Sequence, residues 1–140
     1  MSTVEKDWSE VAIASHRVLR SFDEFIQPIL ARERLTDLGV VNVLFMLNIG
    51  DTSKRVVDIV RENRYVGSNA SYAISALVDN GLAERSPDPA DKRVRVVSLT
   101  ERGRRLAQEL RTVSAGNHEE ICEALSAVKK FEKHCAVQLD

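Results

Sequence analysis

Cysteine, aromatic residues and long apolar runs are all scarce in this 140-residue sequence. Two cysteines are too few for a disulfide scaffold, and no apolar run approaches the roughly 20 residues of a transmembrane helix. The first six residues are polar and of mixed charge, so we expect no signal peptide and a cytoplasmic location. The 44% of hydrophobic residues is enough for one globular domain over residues 1–140.

The usual sequence signals of catalysis and metal binding are also missing. There is no glycine-rich phosphate loop, no serine elbow and no obvious pair of catalytic carboxylates, so we expect no enzymatic activity and no cofactor. His16, His118 and His134 do not have metal-ligand spacing. His118 and Cys122 are one helical turn apart but lack further ligands. Cys122 and Cys135 cannot bond within one helix, and we interpret them as buried or incidental thiols, the alternative being an oxidant-sensing cysteine.

The charge is small overall but unevenly distributed. The chain has a net charge of −1, whereas residues 54–105 carry 11 basic and seven acidic side chains, a local net charge of +4. The rest of the chain therefore carries −5. A basic centre between acidic ends is compatible with a phosphate-bearing partner, because a partner responds to the local patch.

Apolar spacing predicts two helices before the basic centre. Residues three and four apart from Trp8 to Ile29 indicate a long helix, with a kink or a break near Gln27 caused by Pro28. A second helix is predicted from about Thr36 to Gly50. It is apolar nearly all round, which indicates deep burial.

Two shorter helices are predicted next. The third, over 54–62, would be capped by Thr52 or Ser53 and would face inward with Val56, Val57, Ile59 and Val60. After a loop over 63–67, the fourth would be capped by Ser68 or Asn69. It would run to Asn80 and end at a left-handed Gly81. Its predicted inner face consists of small or apolar residues: Ala70, Ala73, Ile74 and Leu77.

The pattern then changes to that of a hairpin. Residues 82–85 and 94–99 have strand character, and the polar turn 86–93 between them contains two prolines. This predicts a two-stranded ribbon. Thr100 would cap a fifth helix, and a last helix would follow Gly116 and Asn117.

The outward positions of the fourth helix have unusual chemistry. An ordinary surface helix would carry Glu and Lys, but here the side chains are short or aromatic and can form hydrogen bonds. Such side chains suit a major groove about 12 Å wide, where Asn pairs with adenine and Ser or Tyr contacts bases and phosphates. The alternative is a serine-rich helix with no partner. The outward residues are Ser68, Asn69, Ser71, Tyr72 and Ser75.

Basic residues lie at the tip of the predicted ribbon. Lys92, Arg93 and Arg95 follow Asp91, and arginine gains from the negative potential of a narrow minor groove. Asp91 is placed to hold Arg93 or Arg95 by a bidentate salt bridge. The alternative is a solvated hairpin whose charges prevent edge aggregation. Lys54 and Arg55 complete the predicted DNA-binding set.

Three segments resemble the MarR (multiple antibiotic resistance regulator) family. Residues 77–85 read Leu-Val-Asp-Asn-Gly-Leu-Ala-Glu-Arg, 88–93 read Asp-Pro-Ala-Asp-Lys-Arg, and 97–103 read Val-Ser-Leu-Thr-Glu-Arg-Gly. The resemblance covers about 40–113. It implies a homodimer joined by its terminal helices, with recognition helices in successive major grooves and wings in flanking minor grooves. It places Ser68, Asn69, Ser71 and Tyr72 at bases and Arg93 in the wing.

A dimer is also expected from the residues themselves. The first and last helices carry more apolar surface than the central module can cover, and a two-fold axis would bury more of it and place two recognition helices about 34 Å apart. The predicted fold is mainly α with a small β-wing, with dimerisation helices at 1–35 and 104–140 around a winged helix-turn-helix lobe at 36–103. The predicted interface residues are Trp8, Val11, Leu19, Ile121, Leu125 and Val128.

The sequence therefore predicts a dimeric DNA-binding transcriptional regulator acting on a pseudo-palindromic promoter site. A repressor would act by steric occlusion, and a small-molecule effector would release it by changing the spacing of the recognition helices. The alternative is a winged-helix protein-interaction module without DNA binding, which the near-neutral net charge favours.

Overall fold

The computed structural model describes residues 7–63, 67–113 and 116–137, with the backbone alone at Gly67, Ser68, Ala136 and Val137. One compact unit ends at Leu110 and a second begins at Arg111. No helix in the described ranges combines the length and apolar composition needed to cross a membrane. The elements in chain order are α1 (Trp8–Arg32), α2 (Val40–Ile49), β1 (Lys54–Arg55), α3 (Val56–Asn63), α4 (Gly67–Asp79), β2 (Ala83–Pro87), β3 (Arg95–Leu99), α5 (Glu101–Arg111) and α6 (His118–Val137).

The predicted fold class is confirmed, since the chain is mostly helical with one small antiparallel sheet. Helix α1 begins after Asp7, whose side chain accepts a hydrogen bond from the Glu10 amide, and it continues through Pro28 without a break. Pro28 cannot donate to the carbonyl four residues earlier, but that carbonyl belongs to exposed Glu24, where water can satisfy it. Ile26 and Leu30 on either side of Pro28 are fully buried and hold this end of α1 in the core.

Helix α2 begins at Val40, later than the predicted start near Thr36. Gly39 is its N-cap, and the Asn42 side chain accepts from the Gly39 amide at 2.9 Å. This local bond competes with helix extension toward the N-terminus. The predicted deep burial is confirmed in part: Val43, Phe45, Met46 and Ile49 are fully buried, whereas Val41 is 47% exposed.

The predicted ribbon is confirmed, since β2 and β3 pair antiparallel, but the sheet has a third strand that the sequence analysis did not predict. Lys54 and Arg55 form β1, which pairs with β3 opposite Val97 and Val96, and the strand order is β1-β3-β2. Helix α3 therefore begins at Val56, and Thr52 and Ser53 precede a strand and do not cap a helix.

One inward residue of α3 was also predicted wrongly. Ile59 is fully buried and Val56 and Val60 pack partly on the core, but Val57 is 62% exposed. With the helix beginning at Val56, the period that places Ile59 and Val60 inward turns Val57 away from the core.

The inner face of α4 is confirmed, since Ala70, Ala73, Ile74 and Leu77 are all buried. The helix begins at Gly67, so Ser68 and Asn69 lie inside its first turn and are not caps. Of the loop predicted over 63–67, residues 64–66 lie outside the described residues, and the two ends belong to α3 and α4. The stop at Gly81 is confirmed by its left-handed φ of 71°.

Hydrogen bonds from Thr100 connect the start of α5 to the two residues that precede β2. Thr100 caps α5 as predicted, because its hydroxyl accepts from the Gly103 amide at 3.1 Å and donates to the Gly81 carbonyl at 2.7 Å. The Thr100 amide donates to the Leu82 carbonyl at 3.0 Å.

In the second unit, α6 begins with a reciprocal capping box between Asn117 and Glu120.

Candidate nucleic-acid interface

The exposed face of α4 presents polar side chains near the helix N-terminus. Asn69 and Ser71 are exposed, and Tyr72 is 78% exposed although it is a large aromatic residue. The inner residues leave these positions outward because the helix repeats every 3.6 residues. Ser68 shares this part of the helix, and only its backbone is described. These residues can offer hydrogen-bonding groups to a partner.

Ser75 has a different environment from the rest of this set. It is half-buried, and its hydroxyl accepts a hydrogen bond from Arg85 Nη2 of β2 at 2.6 Å. The Ser75 hydroxyl, which was predicted to contact DNA, thus already has a partner within the chain.

The loop between β2 and β3 is a tight hairpin tip, which we call the wing tip (residues 88–94). The Asp88 amide donates to the Val94 carbonyl at 2.8 Å, and the Val94 amide donates to the Asp91 carbonyl at 2.9 Å. Asp91 Oδ1 accepts from the Arg93 amide at 3.1 Å and from Arg93 Nε at 3.3 Å. The predicted ion pair is present, but it is made through one nitrogen and one oxygen and is not bidentate. The Arg93 side chain remains 92% exposed.

The base of the wing tip is anchored by a buried carboxylate. Asp88 is buried, and it accepts from the Ala90 amide at 2.9 Å and from Arg55 Nε at 2.7 Å. The Ala90 hydrogen bond, followed by the charge and hydrogen bond of Arg55, lowers the pKa of Asp88. Lys54 is directed elsewhere, since its Nζ donates to the Asn48 carbonyl at the end of α2 at 2.6 Å.

A groove of about 730 Å³ lies between α3, α4 and the wing. Four arginines line it together with Ser71, and apolar side chains including the exposed Val57 complete the wall. A concave surface with four guanidinium groups suits the phosphates of a nucleic acid. The arginines are Arg55, Arg85, Arg93 and Arg95. Lys92 is exposed on the wing tip beside them.

Arg85 is the groove arginine that the sequence analysis did not select. It lies in the Gly-Leu-x-x-Arg segment that opens β2, and this segment was the available signal. Its position in β2 opposite Val97 places it beside α4, as the bond to Ser75 shows.

The predicted dimerisation residues retain substantial exposure within the single chain. On α1, Trp8 and Val11 are exposed and Leu19 is half-buried. On α6, taken by itself, Ile121, Leu125 and Val128 are exposed.

The predicted incidental thiols lie on α6. Cys122 is exposed, with its Sγ 3.5 Å from His118 Nε2, and Cys135 is partly exposed. Within the described ranges, no three His, Cys, Asp or Glu residues are placed to hold a metal ion.

Comparison with known proteins identifies relatives of this arrangement. A family model for a winged helix DNA-binding domain matches residues 35–103. The exopolysaccharide II synthesis transcriptional activator ExpG of Rhizobium meliloti (strain 1021) is 31% identical over 107 residues, which are 76% of this chain. The chain spans about half of that protein, 55% of its length.

Solved structures share the fold at lower identity. A MarR transcriptional regulator from Methanosarcina mazei Go1 superposes with a TM-score of 0.72 at 18% identity, over 92% of this chain and 99% of that one. A mutant MarR from E. coli complexed with operator DNA gives a TM-score of 0.64 at 17% identity, over 91% and 99% of the two chains.

Proposed function

We propose that the chain, which has a winged helix DNA-binding domain and the fold of solved MarR regulators, is a member of the MarR family and regulates transcription by binding double-stranded DNA. The N-terminal half of α4 enters the major groove, and the wing tip enters the adjacent minor groove. The observation that carries this proposal is that the exposed polar face of α4 borders the same groove as four arginines, with Ser71 belonging to both.

The proposed contacts divide by chemistry. Asn69, Ser71 and Tyr72, with Ser68 beside them, meet base edges, because short polar side chains match the donors and acceptors of the major groove. Arg93 enters the minor groove. The remaining basic residues meet phosphates, which position the protein without carrying sequence information. This last group consists of Arg55, Lys92 and Arg95.

The proposed assembly is a homodimer. Helices α1 and α6 each leave large apolar side chains exposed, Trp8 and Leu125 among them, and a second copy would remove them from water. A two-fold dimer with α4 helices about 34 Å apart recognises a pseudo-palindromic site with half-sites one turn apart.

The proposal is tested by selecting binding sequences from random duplex DNA and measuring affinity for the selected site across a salt series. Asn69→Ala should weaken binding by about 1–3 kcal/mol and relax the preference at one base pair of each half-site. Arg93→Ala should weaken binding and make the salt dependence shallower. Arg104→Ala, an exposed α5 position outside the groove lining, is the matched control. Enrichment of no sequence, with all variants alike, would instead favour a protein-interaction module.

We propose that regulation is by occlusion at the promoter, as a repressor. ExpG carries the name of an activator, so the position of the site relative to the promoter has to be tested directly. The activity of a reporter driven by a promoter that contains the selected site should fall when the protein is expressed. A rise in reporter activity would instead indicate an activator.

A small-molecule effector would change the spacing between the two α4 helices and lower the affinity for DNA. Titration of candidate ligands, with DNA affinity measured at each step, tests this.

A further inference from the structure

One hydrogen bond connects the two elements that the proposed function brings to DNA. Arg85 Nη2 on β2 donates to Ser75 Oγ in the middle of α4 at 2.6 Å. Ser75 is half-buried and Arg85 is exposed, so the serine is the fixed partner and the arginine is the side chain being held. A long arginine side chain that is already ordered loses less conformational entropy when it binds a ligand.

The groove arginines differ in what holds them. Arg55 is paired with Asp88 and Arg93 with Asp91, so a carboxylate offsets each of these charges. Arg85 is held by a neutral hydroxyl, and among the described residues it has no carboxylate partner. A hydroxyl orients a guanidinium without neutralising it. Arg85 lines the groove, and its bond to Ser75 uses only one of its five N–H donors.

We propose that Arg85 is a phosphate contact and that Ser75 is a positioning residue that acts through it. This rests on the proposed function, since the phosphate belongs to the bound duplex. Ser75 then makes no base contact, although it lies on the same helix as Asn69 and Tyr72. Arg85 presents its charge between α4 and the wing, where a phosphate between the contacted major and minor grooves would pass.

The test is a double-mutant cycle on the full chain, using the duplex selected above. Arg85→Gln should lower affinity about tenfold and reduce the log–log salt slope by about 0.9 for each protomer. Ser75→Ala should lower affinity about three- to tenfold, the range for losing the order of one long side chain, and should leave the salt slope unchanged. The double variant should bind as Arg85→Gln does. Arg104→Gln, with the same charge change outside the groove, should retain wild-type affinity and slope, and thermal unfolding verifies that each variant folds.

Other outcomes overturn the proposal. Suppose that Ser75→Ala lowers DNA affinity by the same factor in the Arg85→Gln background as in the wild type, and that this loss of affinity occurs only with one particular base pair in the site. Ser75 then contacts a base directly. If Arg85→Gln keeps the wild-type slope, then Arg85 has only a structural role. Both results leave the proposed function intact, because the wild type still binds and Arg93→Ala still weakens it. Failure of the wild type to bind any duplex overturns both proposals.

Discussion

At the scale of single residues, Gly103 fixes how closely two elements approach. A Cβ at this position would overlap the carbonyl oxygen of Leu82, which is backbone and cannot rotate away. The glycine lies in the first turn of α5, where its own amide is bound by Thr100. The absence of a side chain at Gly103 therefore sets the distance between α5 and the start of β2.

Gly103→Ala should destabilise the protein by about 3 kcal/mol, the upper end of the range for an overpacked site. Urea unfolding followed by circular dichroism measures it. Gly39→Ala is the control, because its Cβ would meet nothing nearer than the Asn42 side chain at 3.7 Å, and it should cost less than about 1 kcal/mol. Equal losses in the two variants would contradict the contact with Leu82.

Asp88 makes the free energy of unfolding depend on pH in the acid range. Its pKa is lowered by the Ala90 amide and then by Arg55, so its stabilising effect is complete above the ordinary pKa of Asp and is lost as the pH falls through the lowered pKa. Asp88→Asn should be less stable than wild type near pH 7, and the two should converge in acid. Urea midpoints between about pH 7 and pH 3 measure this.

Arg55→Gln provides the comparison for Asp88. It removes one cause of the lowered pKa and leaves the Ala90 hydrogen bond in place, so its acid dependence should lie between those of wild type and Asp88→Asn. A constant difference between wild type and Asp88→Asn at every pH would show that Asp88 does not titrate in this way.

At the scale of elements, the helices could be predicted from the sequence, and β1 could not. The buried face of α4 repeats with the helical period over several turns, whereas in α1 the buried residues are Ile26 and Leu30, one turn apart. Strand β1 has two residues, which is too short for any period, and it exists because β3 offers it an open edge. That edge is distant in sequence, so Lys54 and Arg55 looked like the start of the following helix.

The candidate site follows the same division. The exposure of Asn69, Ser71 and Tyr72 was predictable because the inner face of α4 fixes the outer one. The partner of Ser75 was not, because Arg85 comes from a strand ten residues later and the contact depends on how the sheet packs on the helix. The charges of the wing tip could be located from sequence, but the pairing of Arg55 with Asp88 required the three-stranded register.

The cap of α5 gives a prediction at this scale. Thr100→Val keeps the shape of the side chain but removes the hydroxyl bonds to Gly103 and Gly81. It should cost about 1–2 kcal/mol, as the loss of an N-cap does. Thr100→Ser retains the hydroxyl and should stay close to wild type in the same thermal unfolding experiment. An equal loss from Thr100→Ser, which keeps the hydroxyl, would contradict the assignment of the effect to the cap.

At the scale of the whole molecule, the groove arginines and most of the large exposed apolar side chains belong to different elements. The basic groove lies within residues 55–95, whereas large exposed apolar side chains are numerous on α1 and α6. The chain is close to neutral overall, so long-range attraction to DNA has to come from the groove and should weaken steeply with salt.

The proposed dimer can be tested by sedimentation velocity. The wild type should sediment at twice the chain mass of 15.7 kDa, and Leu125→Glu should shift it toward the monomer because a charge would be buried at the interface. Lys130→Glu is the control, since it lies about 200° around α6 from Val128. A wild type that sediments as a monomer at micromolar concentration would contradict the dimer.

The junction at Leu82 has a mechanical consequence. Its carbonyl accepts a hydrogen bond from the Thr100 amide and lies against Gly103. The first turn of α5 and the start of β2 are therefore held together at the peptide group of Leu82. If the hairpin moves as one body, a rotation of α5 about this junction carries its far end, where Arg93 lies, through a larger arc. Amide exchange at Thr100 would report whether this pivot stays closed while the hairpin moves.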